Sequence, residues 1–162
     1  MLIIVSKMAI KFIADFMLGK LVKKLRMLGI DTKYLRPALN GEYNPLKLLK
    51  ISLEENRTIL TRNSKLKHYP NVYFIKSSDV DEQFKSIIKD FDISKEINAF
   101  SRCLECNELL AEVPKLVIRG KVPFYIYQTK NKFAICKNCN KIYWQGSHYK
   151  NMSRQINNIF RN

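Results

Sequence analysis

The sequence of 162 residues predicts an α/β protein, a mostly parallel sheet flanked by helices and followed by a small β module. Three observations predict it. Strand-like and helix-like segments alternate from Ile10 to Phe91, the pattern of a sheet covered on both faces. All four cysteines come late and in two pairs, Cys103-Leu104-Glu105-Cys106 and Cys136-Lys137-Asn138-Cys139. Between the pairs lie short β-prone runs, Leu116-Val117-Ile118, Phe124-Tyr125-Ile126-Tyr127 and Phe133-Ala134-Ile135. The chain therefore divides into an α/β domain at 1–98 and a cysteine module with a basic terminal helix at 99–162.

Ile10-Lys11-Phe12-Ile13-Ala14 reads as a buried strand ending at Asp15. A helix follows at 18–28. Leu18, Leu21, Val22, Leu25 and Leu28 form its apolar stripe, Lys20, Lys23, Lys24 and Arg26 lie off it, and Gly29 ends it. A second strand is expected at 32–35 and a loop at 36–44. Pro45 opens a helix to residue 56, with Leu46, Leu49, Ile51 and Leu53 as its apolar residues. Further strands at 57–60 and 72–75 flank a short helical turn. Ser78 or Asp79 caps a helix at 80–91. Residues 92–98 read as a linker, and 149–160 as a basic helix. The short apolar start, Met1 to Val5, is an added strand or an extension ahead of Met8, too brief for a secretory signal.

A two-residue gap lets both thiolates of a turn face one centre, and two such turns supply the four ligands of a tetrahedral zinc site. The alternatives are two disulfides or buried free thiols. No signal peptide opens the sequence, so a reducing, cytoplasmic setting is expected, which disfavours disulfides. Four cysteines leave no open position for water, so the zinc is structural and supplies folding free energy to a module too small to bury much core.

The charge of +15 is unevenly placed: +10 over residues 1–78, −5 over 79–112 and +10 over 113–162, the last stretch holding no Asp or Glu. Bases interleaved with Tyr125, Tyr127, Tyr143, Trp144 and Tyr149 favour a polyanion, RNA above all. Arg62, Lys130, Lys132, Lys137 and Lys141 are the candidate phosphate contacts. No apolar run reaches the roughly 18 residues that span a membrane.

In an open parallel sheet, ligands sit at the carboxyl ends of the strands. Asp15, Arg62, Asn63, Ser77, Ser78 and Asp79 are expected on that rim, with Asp31 nearby. Asp15 and Asp79 are the candidate catalytic carboxylates. Each has a helix-capping role as its alternative, Asp31 has that of a turn residue, and Glu54 and Glu55 are expected to face solvent. Mg²⁺ or Mn²⁺ is expected on the rim only if the centre is active.

Phe12-Ile13-Ala14-Asp15-Phe16-Met17-Leu18-Gly19-Lys20-Leu21 and Leu25-Arg26-Met27-Leu28-Gly29-Ile30-Asp31-Thr32 closely resemble the opening of the Mut-seven C-terminal RNase domain, a PIN-like family with an appended zinc ribbon. Arg57 to Arg62, Ser78-Asp79 with Gln83, and Val122-Pro123 also resemble it, as do the cysteine turns and Tyr143-Trp144-Gln145-Gly146-Ser147-His148 with Met152. The resemblance implies a PIN-like sandwich, metal-dependent endoribonuclease chemistry and a metal-binding Asp15. The family expects an acid where this chain has Asn63, and tends to have one where this chain has Asn44-Pro45; Glu42 on the loop is a candidate substitute. Two readings follow. One is a working or weakened endoribonuclease. The other is an RNA-binding protein with a degenerate centre, bound to the ribosome or another RNA assembly.

Overall fold

The computed structural model describes residues 9–160, apart from the side chains of His148, Gln155, Ile159 and Phe160. The apolar start from Met1 to Val5 lies outside the described residues. Strand β1 (Lys11–Ala14) leads through a 3-10 turn at Phe16–Leu18 into α1 (Gly19–Met27) and back to β2 (Asp31–Tyr34). Helix α2 (Pro45–Glu55) crosses over to β3 (Thr58–Thr61), a 3-10 turn at Ser64–Leu66 leads to β4 (Val72–Phe74), and α3 (Val80–Phe91) follows. The four strands are parallel, in the order β2-β1-β3-β4.

Strand alternation sorts the core onto two faces. Phe12, Ala14 and Leu60 face α1 and α3, in a cluster with Leu18, Leu21, Leu25, Phe84 and Ile87. Ile13 and Ile59 face the other way, with Leu48 of α2 and Leu66. All five expected stripe residues of α1 are no more than 1% exposed, and truncating such a leucine to alanine costs about 2–5 kcal/mol. Gly29, at φ +84°, ends the first turn of chain beyond α1, and a Cβ there would lie 2.2 Å from the Asn98 carbonyl oxygen. Only glycine fits both the backbone and the contact. Helices α2 and α3 close on left-handed Asn56 and Asp92.

Several expectations need correction. The buried residues of α2 are Leu48 and Ser52, while Leu46 and Leu53 are exposed. Apolar residues surround most of that helix, so period alone does not choose its inner face. Residues 92–98 are no free linker. Ile93 is fully buried, and the Asn98 and Phe100 N–H groups donate to the Leu28 and Met27 carbonyls, sealing the end of α1.

The cysteine module is an antiparallel sheet of β5 (Leu110–Val113), β6 (Phe133–Cys136) and β7 (Ile142–Trp144). The expected strand at 133–135 is β6, but the other two β-prone runs are helical. Lys115–Ile118 forms a 3-10 turn between Pro114 and Gly120 (φ +74°), and α4 (Phe124–Thr129) starts directly after Pro123. Flanking proline and glycine override β propensity here. Helix α5 (Ser147–Phe160) then returns to the α/β half. Ile156 joins the main apolar cluster and the Tyr149 ring lies 4.1 Å from that of Phe100.

Candidate functional site

The two cysteine turns share one construction. Asn107 and Asn140 follow the second cysteine of each pair and adopt φ +73° and +59°, a conformation asparagine tolerates better than most residues. Each donates its N–H to the first cysteine's carbonyl, at 3.0 Å for Asn107 to Cys103 and 2.8 Å for Asn140 to Cys136. The Cys103 and Cys136 N–H groups in turn donate to the Glu108 and Lys141 carbonyls. The turns face each other. Cys103 and Cys139 Sγ lie 3.5 Å apart, Cys106 and Cys136 Sγ 3.2 Å apart, and all four sulfurs fall within 4.8 Å of one another. That set fits a four-coordinate thiolate metal site, in which each sulfur stands about 2.3 Å from the ion.

Without a cation the surroundings favour the thiolate at Cys106 and oppose it at Cys136 and Cys139. Burial works to raise the Cys106 thiol, but the Glu108 backbone and the Asn138 side chain outweigh it and bring it down to about 6. Burial pushes Cys136 up to about 12. A cation among them lets all four ionise together. The Tyr143 hydroxyl, 3.1 Å from Cys103 Sγ, also accepts the Leu104 N–H.

Residues the sequence reading undervalued bolt the first turn to the α/β half. Arg26, expected off the stripe, is 3% exposed and donates to the carbonyls of Thr32, Leu104 and Glu105. Its signal was its spacing, four residues beyond Val22 on the buried face. Asn107 accepts the Thr32 N–H through Oδ1 and donates Nδ2 to Asp31. Asp31 is therefore neither a turn residue nor a neighbour of the rim. It begins β2 opposite Lys11, at the amino end of the sheet, where Arg57 also grips it. Burial works against its charge, but hydrogen bonds from Arg57 and Asn107 hold its carboxyl below the ordinary value. Glu55 is likewise engaged, by Lys33 and Arg57, while Glu54 is largely exposed.

At the other end, β1 and β3 terminate side by side where the strand order reverses. Asp15 follows β1 and is 1% exposed. Its Oδ1 accepts the Met17 N–H at 2.9 Å and its Oδ2 accepts the Thr61 hydroxyl. Asp79 is exposed and caps α3, taking the Asp81 and Glu82 N–H groups on Oδ1. Asn63 and Asn44 are caps too, accepting from Lys65 and Leu46. Glu42 is exposed on its loop. Among the described residues, the four cysteines are the set of three or more metal-ligating side chains drawn together; Asp15 and Asp79 join no such set. Beside Asp15, the Tyr43 phenol packs edge-on against Phe16. Burial first, and the Asp15 charge second, push it up to about 12. The Tyr43 hydroxyl and Arg62 Nε are buried without a hydrogen-bond partner among the described residues.

Lys130 is half-buried and Lys132 and Lys137 are exposed. Lys141 lies 3.2 Å from Glu105, which Lys23 also contacts, so its charge is partly neutralised.

A parallel α/β layer with one buried acid at its switch point is thus joined to a module whose four cysteines could hold a metal ion. A family model described as the Mut7-C RNAse domain matches residues 10–156, and the chain belongs to that family. Comparison with curated proteins and with solved structures gave no match. Among the described residues, no helix is long and apolar enough to cross a membrane.

Proposed function

We propose that this chain is an RNA-binding protein on a PIN-like nuclease fold, its strand-end centre degenerate and its cysteine cluster holding a structural zinc. The state of Asp15 carries the reading. Both its oxygens have partners within the fold, and the two positions where the family resemblance expects further acids hold amides that cap helical turns. A two-metal centre needs several anionic oxygens to bind cations and hold them about 4 Å apart. An amide can coordinate but adds no charge.

Arg62, Lys130, Lys132 and Lys137, with Lys141 in a lesser role, contact phosphate in this reading, and the partner is the RNA of a ribosome or another assembly. Thiolate zinc suits the cytoplasm. The division at residue 98 belongs to the same proposal, with 1–98 as the nuclease-like unit and 99–162 as the metal-binding one. The test incubates single-stranded and structured RNA with the protein and Mn²⁺. Binding without cleavage is expected; robust Mn²⁺-dependent cleavage abolished by Asp15→Asn would falsify the degenerate centre.

One observation favours the second reading, an active Mg²⁺- or Mn²⁺-dependent endoribonuclease with Asp15 and Asp79 as its carboxylates. Buried polar atoms normally have partners, and the orphaned Tyr43 hydroxyl and Arg62 Nε leave the rim with unused donors. Such donors suit a phosphate or a metal-bound water.

A further inference from the structure

Residues 114–132 leave the module's sheet after Val113 and rejoin it at Phe133, and those two residues are paired neighbours in the ladder. The excursion is long for a hairpin connection, and it carries a 3-10 turn and helix α4 of its own. It carries Lys115, Arg119, Lys121, Lys130 and Lys132, and no acid. It also exposes four large apolar side chains along its length: Leu116 at 73%, Val117 at 44%, Phe124 at 74% and Tyr125 at 70%. Single exposed apolar residues are ordinary, but a group of them on one short segment marks a contact surface.

The rings of the module separate by role. Phe133 is buried, Tyr143 bonds Cys103, Tyr149 packs on Phe100 and Tyr127 lies under Lys115 Nζ at 5.1 Å. Phe124 and Tyr125 are left to solvent. The segment that presents them is anchored by one buried side chain and braced by bonds within itself. Ile118 is fully buried beneath it, the Lys121 N–H donates to the Ile118 carbonyl, and Lys115 Nζ reaches Asn131 at 3.3 Å.

Resting on the RNA-binding reading above, we infer that this excursion is a stacking platform for single-stranded RNA: Phe124 and Tyr125 take the faces of unpaired bases, while Lys115, Arg119 and Lys121 hold the adjoining phosphates. Bases accept stacking whatever their identity, and exposed rings beside cations match a strand whose bases are unstacked. Paired RNA offers no such faces in its grooves. The absence of any acid from residue 113 to 162 gives the charge complementarity. Interfacial membrane binding scales with the apolar area a helix can bury, and the six residues of α4 offer little.

The full chain is titrated with a single-stranded oligoribonucleotide carrying 2-aminopurine, with the same sequence as a duplex, and with phosphatidylserine vesicles. The single strand should bind more tightly than the duplex and quench 2-aminopurine. Phe124→Ala with Tyr125→Ala should weaken binding by about tenfold or more and abolish the quenching, with metal content, circular dichroism and salt slope unchanged. Phe124→Trp with Tyr125→Phe should keep both signals. Lys115→Gln with Arg119→Gln and Lys121→Gln should instead lower the log–log salt slope by about 2. Unchanged RNA affinity in the double alanine variant would overturn the platform while leaving the RNA-binding reading intact. So would equal duplex affinity without quenching, or a loss confined to vesicle binding. An unmodified chain that binds no RNA of any kind would remove both.

Discussion

The cysteine cluster and the Asp15 rim are both places where this fold gathers metal-ligating residue types, yet they differ in what the ligand atoms face. At the cluster, two turns of the same construction direct four sulfurs at one point, and the nearby backbone donors favour thiolates. At the rim, the acid is buried but already paired, and the neighbouring polar residues cap helical turns. The difference teaches that gathered ligand types can be turned either toward one common centre or toward partners within the chain. On the degenerate-centre reading proposed above, it is that second arrangement which leaves the rim without a metal.

The largest expected effect tests the cluster. Cys136→Ser should abolish metal binding, measured as zinc per chain, and unfold the module, because structural zinc contributes on the order of 10 kcal/mol. The parallel sheet should keep its circular dichroism. Full metal content with an unchanged module would break the comparison from that side.

Next in size is Arg26→Ala. It strips the side-chain donor from three carbonyls, those of Thr32, Leu104 and Glu105. Only the Thr32 bond is fully buried, the other two being part-buried; an unsatisfied buried group costs about 1–3 kcal/mol and a group that water can reach less, so denaturant unfolding should show a loss of about 2–4 kcal/mol. A loss below about 0.5 kcal/mol would mean the bolt between the two halves is not a stabilising contact.

Asp15→Ala sharpens the other side, through the sign of its effect. A carboxylate kept for catalysis is often a strain on the fold, and removing it stabilises. A carboxylate that caps a turn and bonds Thr61 should cost about 1–3 kcal/mol when removed. We expect destabilisation. A rise in melting temperature would favour the active-centre reading.

The smallest effect concerns Asp31. Its folded carboxyl lies below the ordinary value, so its stabilisation is present above the unfolded value, near 4, and is lost as pH falls through the lower folded value. Wild type should therefore lose stability below about pH 4 more steeply than Asp31→Asn. Equal slopes in acid titrations followed by circular dichroism would mean that Arg57 and Asn107 do not stabilise the charge.

Much of the parallel half was legible in the sequence, because its signals are local. The stripe of α1, Pro45 opening α2, Asp79 capping α3 and Gly29 ending the first helix each follow from a few neighbouring residues. The cysteine cluster was legible for the same reason, with an asparagine after each pair to mark the turn. The module's connections were not. Phe124 to Tyr127 has strand-like composition, and the helix there depends on Pro123 and on solvent exposure of its rings. The roles of Arg26, Asp31 and Asn107 were hidden as well, since each depends on a partner some 75 residues away.

Strand β2 is an outer strand of the parallel sheet, and its Thr32 N–H is covered by the Asn107 side chain. An uncovered outer strand is a template for pairing with another chain. Asn107 stands in that position only while the first cysteine turn keeps its shape. If the cysteines hold the proposed zinc, losing it would do more than loosen a small module. It would uncover a sticky strand margin on the half that stays folded, and chelation should lead to self-association and turbidity that rise with protein concentration.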